Sequence, residues 1–185
     1  MIVSKGALAR SLIIILLLCE IPAYSDGLQS RNFCFGIIPD SLEKMVKEFG
    51  GWRIVSLEIL DPYDRKLFVK DHKGKCPGIA KVDLYGDGRK VYAIVLTRGK
   101  DVDRKSKLIL AEETGKNRWQ ITTLEDEVTG PTPVAVQGSA GEYEHVYREK
   151  KLTSQHEVVF FIGYESWAIV YAWNGKEIEK IQASD

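Results

Sequence analysis

The chain has 185 residues, of which 44% are hydrophobic, and its 26 Lys and Arg residues balance 26 Asp and Glu residues. This composition is typical of one folded domain and is too apolar for a disordered chain. The neutral charge argues against a nucleic-acid-binding protein and against a polybasic membrane patch, because both need clustered Lys and Arg.

The N-terminus has the features of an export signal. Lys5 and Arg10 give it a positive start without acids, and residues 11–19 form a short apolar core. This core is far shorter than the ~20 residues that a membrane-spanning helix needs. Small residues further on favour cleavage before Asp26, which would leave 24 basic and 25 acidic groups. We therefore expect a periplasmic or secreted protein without a stable membrane span.

Three other interpretations of this segment stay open: a buried N-terminal strand, lipidation at Cys19, and an uncleaved anchor. A lipidation motif has a small residue just before its cysteine, whereas this chain has Leu18. The expected organisation is a signal peptide at 1–25, an N-terminal extension at 26–39 and a single globular domain at 40–185.

Cys34 and Cys76 are the cysteines that remain after cleavage. An even number of cysteines in an exported domain favours a disulfide bond. Such a bond would close a loop of about 40 residues and stabilise the fold by up to ~4 kcal/mol. Two free thiols, a redox pair or a metal pair are the alternatives, although neither cysteine has the spacing of a metal site.

Two short helices are predicted near the start of the domain. Asp40 and Glu43 have the spacing of a capping box, and apolar residues then recur at helical intervals over 41–49. The pair Asp61-Pro62 is typical of a helix N-cap followed by a proline in the first turn. It favours a second helix over 62–70.

The rest of the domain has the patterns of β-strands. The run 91–96 is almost entirely apolar and predicts a central strand, whereas the prolines near 133–136 favour an edge strand. Asn174-Gly175 predicts a tight hairpin, and 143–151 has no clear pattern. The other predicted strands are 52–57, 80–84, 108–111, 119–124, 157–162, 168–173 and the return arm of that hairpin. The sequence therefore predicts an α+β fold, with short N-terminal helices packed on an antiparallel meander of about six to eight strands.

One segment has the form of a motif. Asp83 is followed by Asp87 and Gly88 in a D-x-x-G-D-G turn that leads into the apolar run 91–96. This segment resembles a single degenerate FG-GAP or VCBS-type repeat, in which alternating carboxylates bind calcium. The resemblance implies that Asp83 and Asp87 are metal ligands, with Tyr85 in place of a further ligand.

Two observations limit that resemblance. No second copy of the motif occurs in the chain, so a repeated propeller is not expected. Aspartate and glycine are also common in ordinary hairpin turns, which is the alternative interpretation. We therefore expect no cofactor, with calcium as the alternative. The segment is also similar to bacterial secreted proteins of unassigned function, and this likeness implies no activity.

No catalytic motif is evident in the sequence. His72, His145 and His156 have no partner at the spacing of a metal or nucleophile site. Glu112-Glu113 and the acids at 125–127 could form a glycosidase-type pair, or could be solvated turns. The sequence favours a protein that is not an enzyme.

Aromatic residues are concentrated towards the C-terminus. Tyr164, Trp167, Tyr171 and Trp173 could fill the core of a small sheet or contact a partner. We expect an exported binding module whose partner is an unknown protein or glycan of the cell envelope. An exported hydrolase whose site assembles only in the fold and a weak calcium-binding domain are the alternatives.

Overall fold

The computed structural model describes residues 34, 36–100 and 103–184. The predicted signal peptide at 1–25 lies outside the described residues. The described helices are α1 (Asp40–Lys47) and α2 (Pro62–Asp71), and the strands are β1 (Arg53–Ile54), β2 (Ile79–Val82), β3 (Val91–Arg98), β4 (Lys105–Gly115), β5 (Arg118–Thr129), β6 (Val134–Gly138), β7 (Gly141–Glu144), β8 (Lys151–Ser154), β9 (Val158–Gly163), β10 (Trp167–Trp173) and β11 (Ile178–Ser184).

These strands form three antiparallel sheets. Sheet A has the order β1-β3-β4-β5, with β2 also paired to β3, and sheet B has the order β11-β10-β9-β6. Strands β7 and β8 pair only with each other. The described chain is thus mainly β with two helices, which agrees with the broad α+β prediction. The expected single meander of six to eight strands is corrected to eleven strands in three sheets among the described residues.

Strand β3 is central in sheet A because both of its faces are buried. Val95 belongs to the main core cluster, which also contains Phe161 of sheet B. Ile94 points the other way, into a second cluster that contains Leu42 of α1. Burial of both faces explains why this strand reads as one continuous apolar run, and the prediction of a central strand is confirmed.

The β7–β8 hairpin covers the face of sheet B that is turned away from sheet A. Leu152 of β8 shares a third core cluster with Val170 of β10 and Ile181 of β11. Neighbouring Tyr171 belongs to the main cluster, because successive residues of a strand point to opposite faces. Sheet B therefore carries apolar contacts on both sides.

Helix α1 begins with a cap different from the predicted one. Pro39 is the N-cap residue, and its carbonyl oxygen accepts hydrogen bonds from the backbone N–H groups of Leu42 and Glu43. Asp40 lies inside the helix, so the predicted capping box is wrong. Glu43 instead pairs with Lys47 one turn later, at 2.7 Å.

Helix α2 begins as the sequence predicts. The side chain of Asp61 accepts hydrogen bonds from the backbone N–H groups of Tyr63 (2.9 Å) and Asp64 (3.0 Å). Pro62 occupies the first turn, where its missing N–H has no cost. This cap places Asp61 and Asp64 side by side.

The strand predicted at 52–57 is shorter because another strand takes over its position. Ile54 of β1 lies opposite Leu96 of β3, and Ile79 of β2 lies opposite Ile94. The two short strands therefore follow one another along the same edge of β3. Since one edge can pair with only one strand at a time, β1 ends where β2 approaches.

Cys34 and Cys76 lie at disulfide-bonding distance, with their Sγ atoms 2.05 Å apart. Cys76 is buried in the cluster that contains Ile38 and Val46. The pair connects the segment before α1 with the segment before β2, which agrees with the predicted pairing.

Candidate functional site

A cavity of about 450 Å³ lies between the D-x-x-G-D-G turn and the turn that joins β4 to β5. We call it the turn pocket. Its polar lining consists of Tyr85, Arg89 and Lys90 from the first turn and its flank, Glu112 and Glu113 from the end of β4, and Lys116 from the second turn. Cationic and anionic side chains thus face one another across it.

Tyr85 forms the aromatic wall of the turn pocket. Its hydroxyl donates a 2.7 Å hydrogen bond to Oε1 of Glu112, and its ring meets the edge of Trp173 at a centroid distance of 5.0 Å. Burial raises the pKa of Tyr85, and the hydrogen bond to the Glu112 carboxylate raises it further. The hydroxyl therefore stays protonated at neutral pH and acts as a donor.

The cations of the first turn already have carboxylate partners. Arg89 donates to Asp87 at 2.7 Å through Nε, and Nζ of Lys90 lies 3.0 Å from Oε2 of Glu157. The Arg89 hydrogen bond lowers the pKa of Asp87. The pKa of Glu157 is lowered first by a hydrogen bond from the backbone N–H of Asp83 and then by Lys90. Both cations of the first turn are therefore ion-paired within the protein.

The predicted calcium ligands do not form a cation site of useful composition. One carboxylate oxygen of Asp83 accepts from the backbone N–H of Gly88 at 3.1 Å, and the other is buried without a hydrogen bond among the described residues. Asp87 is engaged by Arg89. Within the described part of the chain, no group of three or more His, Cys, Asp or Glu side chains could hold a metal ion. The donors present therefore do not fit calcium.

The three histidines lie in separate elements. His72 ends α2 and its ring packs on Phe68 at 5.1 Å, while His145 follows β7. His156 lies against the D-x-x-G-D-G turn, where a Cβ built on Gly86 would come within 2.1 Å of its Nδ1. Gly86 has a φ of +70°, so both its backbone and this close approach require glycine. The His156 ring thus packs directly against the turn.

The four aromatic residues singled out in the sequence pack against the main core. Tyr171 is only 2% exposed, and its hydroxyl donates to Glu125 of sheet A. Tyr164, Trp167 and Trp173 are partly buried against the same cluster. Tyr171 therefore has no exposed face for a partner, and Trp173 reaches the turn pocket only through Tyr85.

The carboxyl group of Asp64 has a pKa close to neutral pH, but it lies outside the turn pocket. Asp64 is 5% exposed, and its pKa is raised to about 6 by burial, by its hydrogen bond to Asp61 and by the charges of Asp61 and Glu165. Asp64 does not line the turn pocket. Its raised pKa follows first from burial and then from the neighbouring carboxylates of Asp61 and Glu165.

The Tyr85–Glu112 pair was not predicted from the sequence. The residues are 27 positions apart, and only the pairing of β2, β3 and β4 brings them together. The sequence feature that could have indicated this pair is Tyr85, which occupies the position of a metal ligand in FG-GAP or VCBS-type repeats.

Among the described residues, no helix is both long and apolar enough to cross a membrane. Comparison of the chain with known family models, with curated proteins and with solved structures gives no match.

Proposed function

We propose that the protein is an exported, non-catalytic binding module of the cell envelope, and that its ligand enters the turn pocket. The observation that supports this proposal is the pairing of most reactive groups there: Tyr85 with Glu112, Arg89 with Asp87, and Lys90 with Glu157. A general acid or base needs a pKa near the working pH. The protonated Tyr85 hydroxyl and the paired carboxylates suit recognition better than proton transfer.

A glycan fits this pocket better than a charged ligand does. Glycan sites combine an aromatic face with polar side chains that accept and donate hydrogen bonds. Here Tyr85 supplies the ring, while Lys116 and Glu113 lie at the rim with no ion pair among the described residues. Because Arg89 and Lys90 are already ion-paired, a neutral sugar gains hydrogen bonds without displacing either carboxylate partner.

The test is an NMR titration of ¹⁵N-labelled protein with a panel of neutral oligosaccharides. We expect amide shifts at 85–91 and 112–116, and weaker binding by about threefold to tenfold in Tyr85→Ala, which removes the ring. Lys176→Ala is the matched surface control, since Lys176 lies in the β10–β11 turn and lines no part of the pocket. Shifts confined to other surfaces, or none with any sugar, would contradict the assignment of the pocket.

An exported hydrolase is the second candidate, because the adjacent acids Glu112 and Glu113 both line the pocket. The same samples distinguish the two functions when their sugars are analysed chromatographically after the titration. Intact sugars support a binding module. Cleavage that disappears in Glu113→Gln would instead assign the pocket to a hydrolase.

Export is tested independently by N-terminal sequencing of the protein from fractionated cells. The proposal expects material outside the cytoplasm that begins at Asp26. Cytosolic protein that retains Met1 would contradict it, whatever the ligand of the turn pocket.

A further inference from the structure

A second cavity, of about 240 Å³, lies beside the loop 145–150 that joins β7 to β8. We call it the hairpin hollow. Its lining consists of His145, Arg148, Lys150 and Lys180, completed by Ile169 and Gln182. All of its ionisable side chains are therefore basic, whereas the turn pocket mixes both signs.

Three nitrogen donors of the hairpin hollow have no acceptor at hydrogen-bonding distance within the described chain. Nδ1 of His145 accepts from the backbone N–H of Tyr147 at 3.0 Å, so the neutral ring carries its proton on Nε2. Nζ of Lys150 is 3.7 Å from Glu179, which is longer than a hydrogen bond. The backbone carbonyl of Arg148 accepts from the N–H of Lys150 at 2.7 Å, whereas its guanidinium has no hydrogen bond or ion pair to any described residue.

The fourth basic group is already compensated. Nζ of Lys180 lies 2.6 Å from Oε1 of Glu125, the same oxygen that accepts from Tyr171. Glu144 and Glu149 line an adjoining cavity together with Arg148 and Lys150, but neither carboxylate pairs with Arg148. The lining of the hollow itself therefore carries an excess of positive charge.

The loop that carries these donors is fixed to sheet B. The backbone N–H of Val146 donates to the carbonyl oxygen of Gln182 at 2.9 Å, and that of His145 donates to Lys150 at 2.9 Å. Donors on a loop that is already ordered cost little entropy when a ligand binds. The loop also exposes the Tyr147 ring, at 64%, beside the hollow.

We propose that the hairpin hollow binds a phosphate group. Arginine offers a planar fork of donors that matches phosphate oxygens, and a lysine ammonium adds a point charge. A tetrahedral phosphate presents acceptors in several directions, so it can meet Arg148, Lys150 and His145 together, whereas a planar carboxylate is satisfied by the arginine fork alone. The volume exceeds that of one phosphate and leaves room for part of the molecule that carries it.

The primary test is a titration of ¹⁵N-labelled full domain with inorganic phosphate at fixed pH and ionic strength. Wild-type protein is expected to show saturable shifts at 145–150 and Gln182. The double variant Arg148→Gln/Lys150→Gln is expected to bind at least about tenfold more weakly. Lys176→Gln removes one unit charge from an exposed turn, half of the change in the double variant, and is expected to stay within about twofold of wild type.

Arg148→Lys separates fork geometry from charge. Retained charge without the fork is expected to weaken phosphate binding by about threefold. These side chains are exposed, so thermal unfolding of every variant should match wild type and exclude misfolding as the cause.

Two further probes identify where the phosphate comes from. Glycerol 1-phosphate tests a soluble phosphate ester, and vesicles with and without phosphatidylglycerol test a lipid headgroup. If glycerol 1-phosphate or the phosphatidylglycerol vesicles bind to wild type but not to the double variant, the proposal is supported and the source of the phosphate group is identified. The proposal would be overturned if amides at 145–150 did not shift up to about 50 mM phosphate and vesicle binding did not depend on Arg148. Equal binding by wild type and the double variant would also overturn it.

Discussion

The turn pocket and the hairpin hollow are built from similar side chains but differ in how their charges are satisfied. In the turn pocket, Arg89 is bonded to Asp87, and Lys90 to Glu157. In the hairpin hollow, the guanidinium of Arg148 has no hydrogen bond or ion pair to a described residue. The comparison teaches that the number of charged residues in a cavity predicts little about its ligand. What matters is which charges the protein itself already neutralises.

The largest expected effect concerns the scaffold of the turn pocket. In Gly86→Ala, the new Cβ meets the His156 ring at 2.1 Å and φ is +70°, so we expect a loss of about 3 kcal/mol in unfolding free energy. Gly88→Ala is the matched control, because its φ is +80° but nothing lies within 4 Å of the added Cβ. It should lose about 1 kcal/mol. Urea denaturation measures both. Equal losses would show that His156 does not fix this turn.

The next effect tests whether the buried acid outside both cavities affects stability alone. The pKa of Asp64 is raised to about 6 from an unfolded value of 3.8. The folded state therefore binds the proton more tightly, and stability falls as pH rises from about 4 to 6.

Asp64→Asn removes this dependence while keeping the shape of the side chain. We expect the variant to be more stable than wild type by about 3 kcal/mol at pH 7, and equal to it below pH 4. Urea denaturation across pH gives the result, with unchanged ligand binding at both cavities. A constant difference at all pH values would show that Asp64 does not titrate in this range.

A smaller effect, on phosphate affinity at the hairpin hollow, tests directly how charge compensation differs between the two cavities. Glu125→Gln removes the carboxylate that faces Lys180 but keeps an oxygen for the Tyr171 hydroxyl. We expect phosphate affinity at the hairpin hollow to rise about threefold. Glu113→Gln, at the rim of the turn pocket, is the control and should leave that affinity unchanged. An equal rise in both variants would mean that net charge, and not Lys180, sets the affinity.

The smallest expected effect is that of calcium on the turn. Because Asp87 is held by Arg89 and the donors there do not fit a cation, millimolar calcium should shift the melting temperature by less than about 1 °C. Magnesium is the control for ionic strength. A clear rise with calcium alone would restore the interpretation drawn from the resemblance to FG-GAP repeats.

The sequence predicted correctly those helices and strands that are determined by residues close together in the chain. Asp61 caps α2 because its side chain needs only the next two backbone N–H groups, and β3 reads as central because both faces are apolar. The α1 cap failed because the Pro39 carbonyl takes the place expected for the Asp40 side chain. The interruption of 52–57 by β2 was not visible in either segment alone.

Both cavities depend on contacts between distant parts of the chain. Lys180 meets Glu125 across 55 positions, and the loop 145–150, which carries Arg148, has no strong sequence pattern. Patterns of period two or 3.6 describe one element at a time. They contain no information about which turn will face which strand, so the charge balance of a cavity appears only in the fold.

The most direct measurement follows both cavities in one ¹⁵N-labelled sample at low and at high salt. A neutral oligosaccharide should shift amides at 85–91 and 112–116 equally at both salt concentrations, and inorganic phosphate should shift those at 145–150 far more at low salt. Overlapping shifts, or the same salt dependence for both ligands, would contradict the claim that charge compensation separates the two sites.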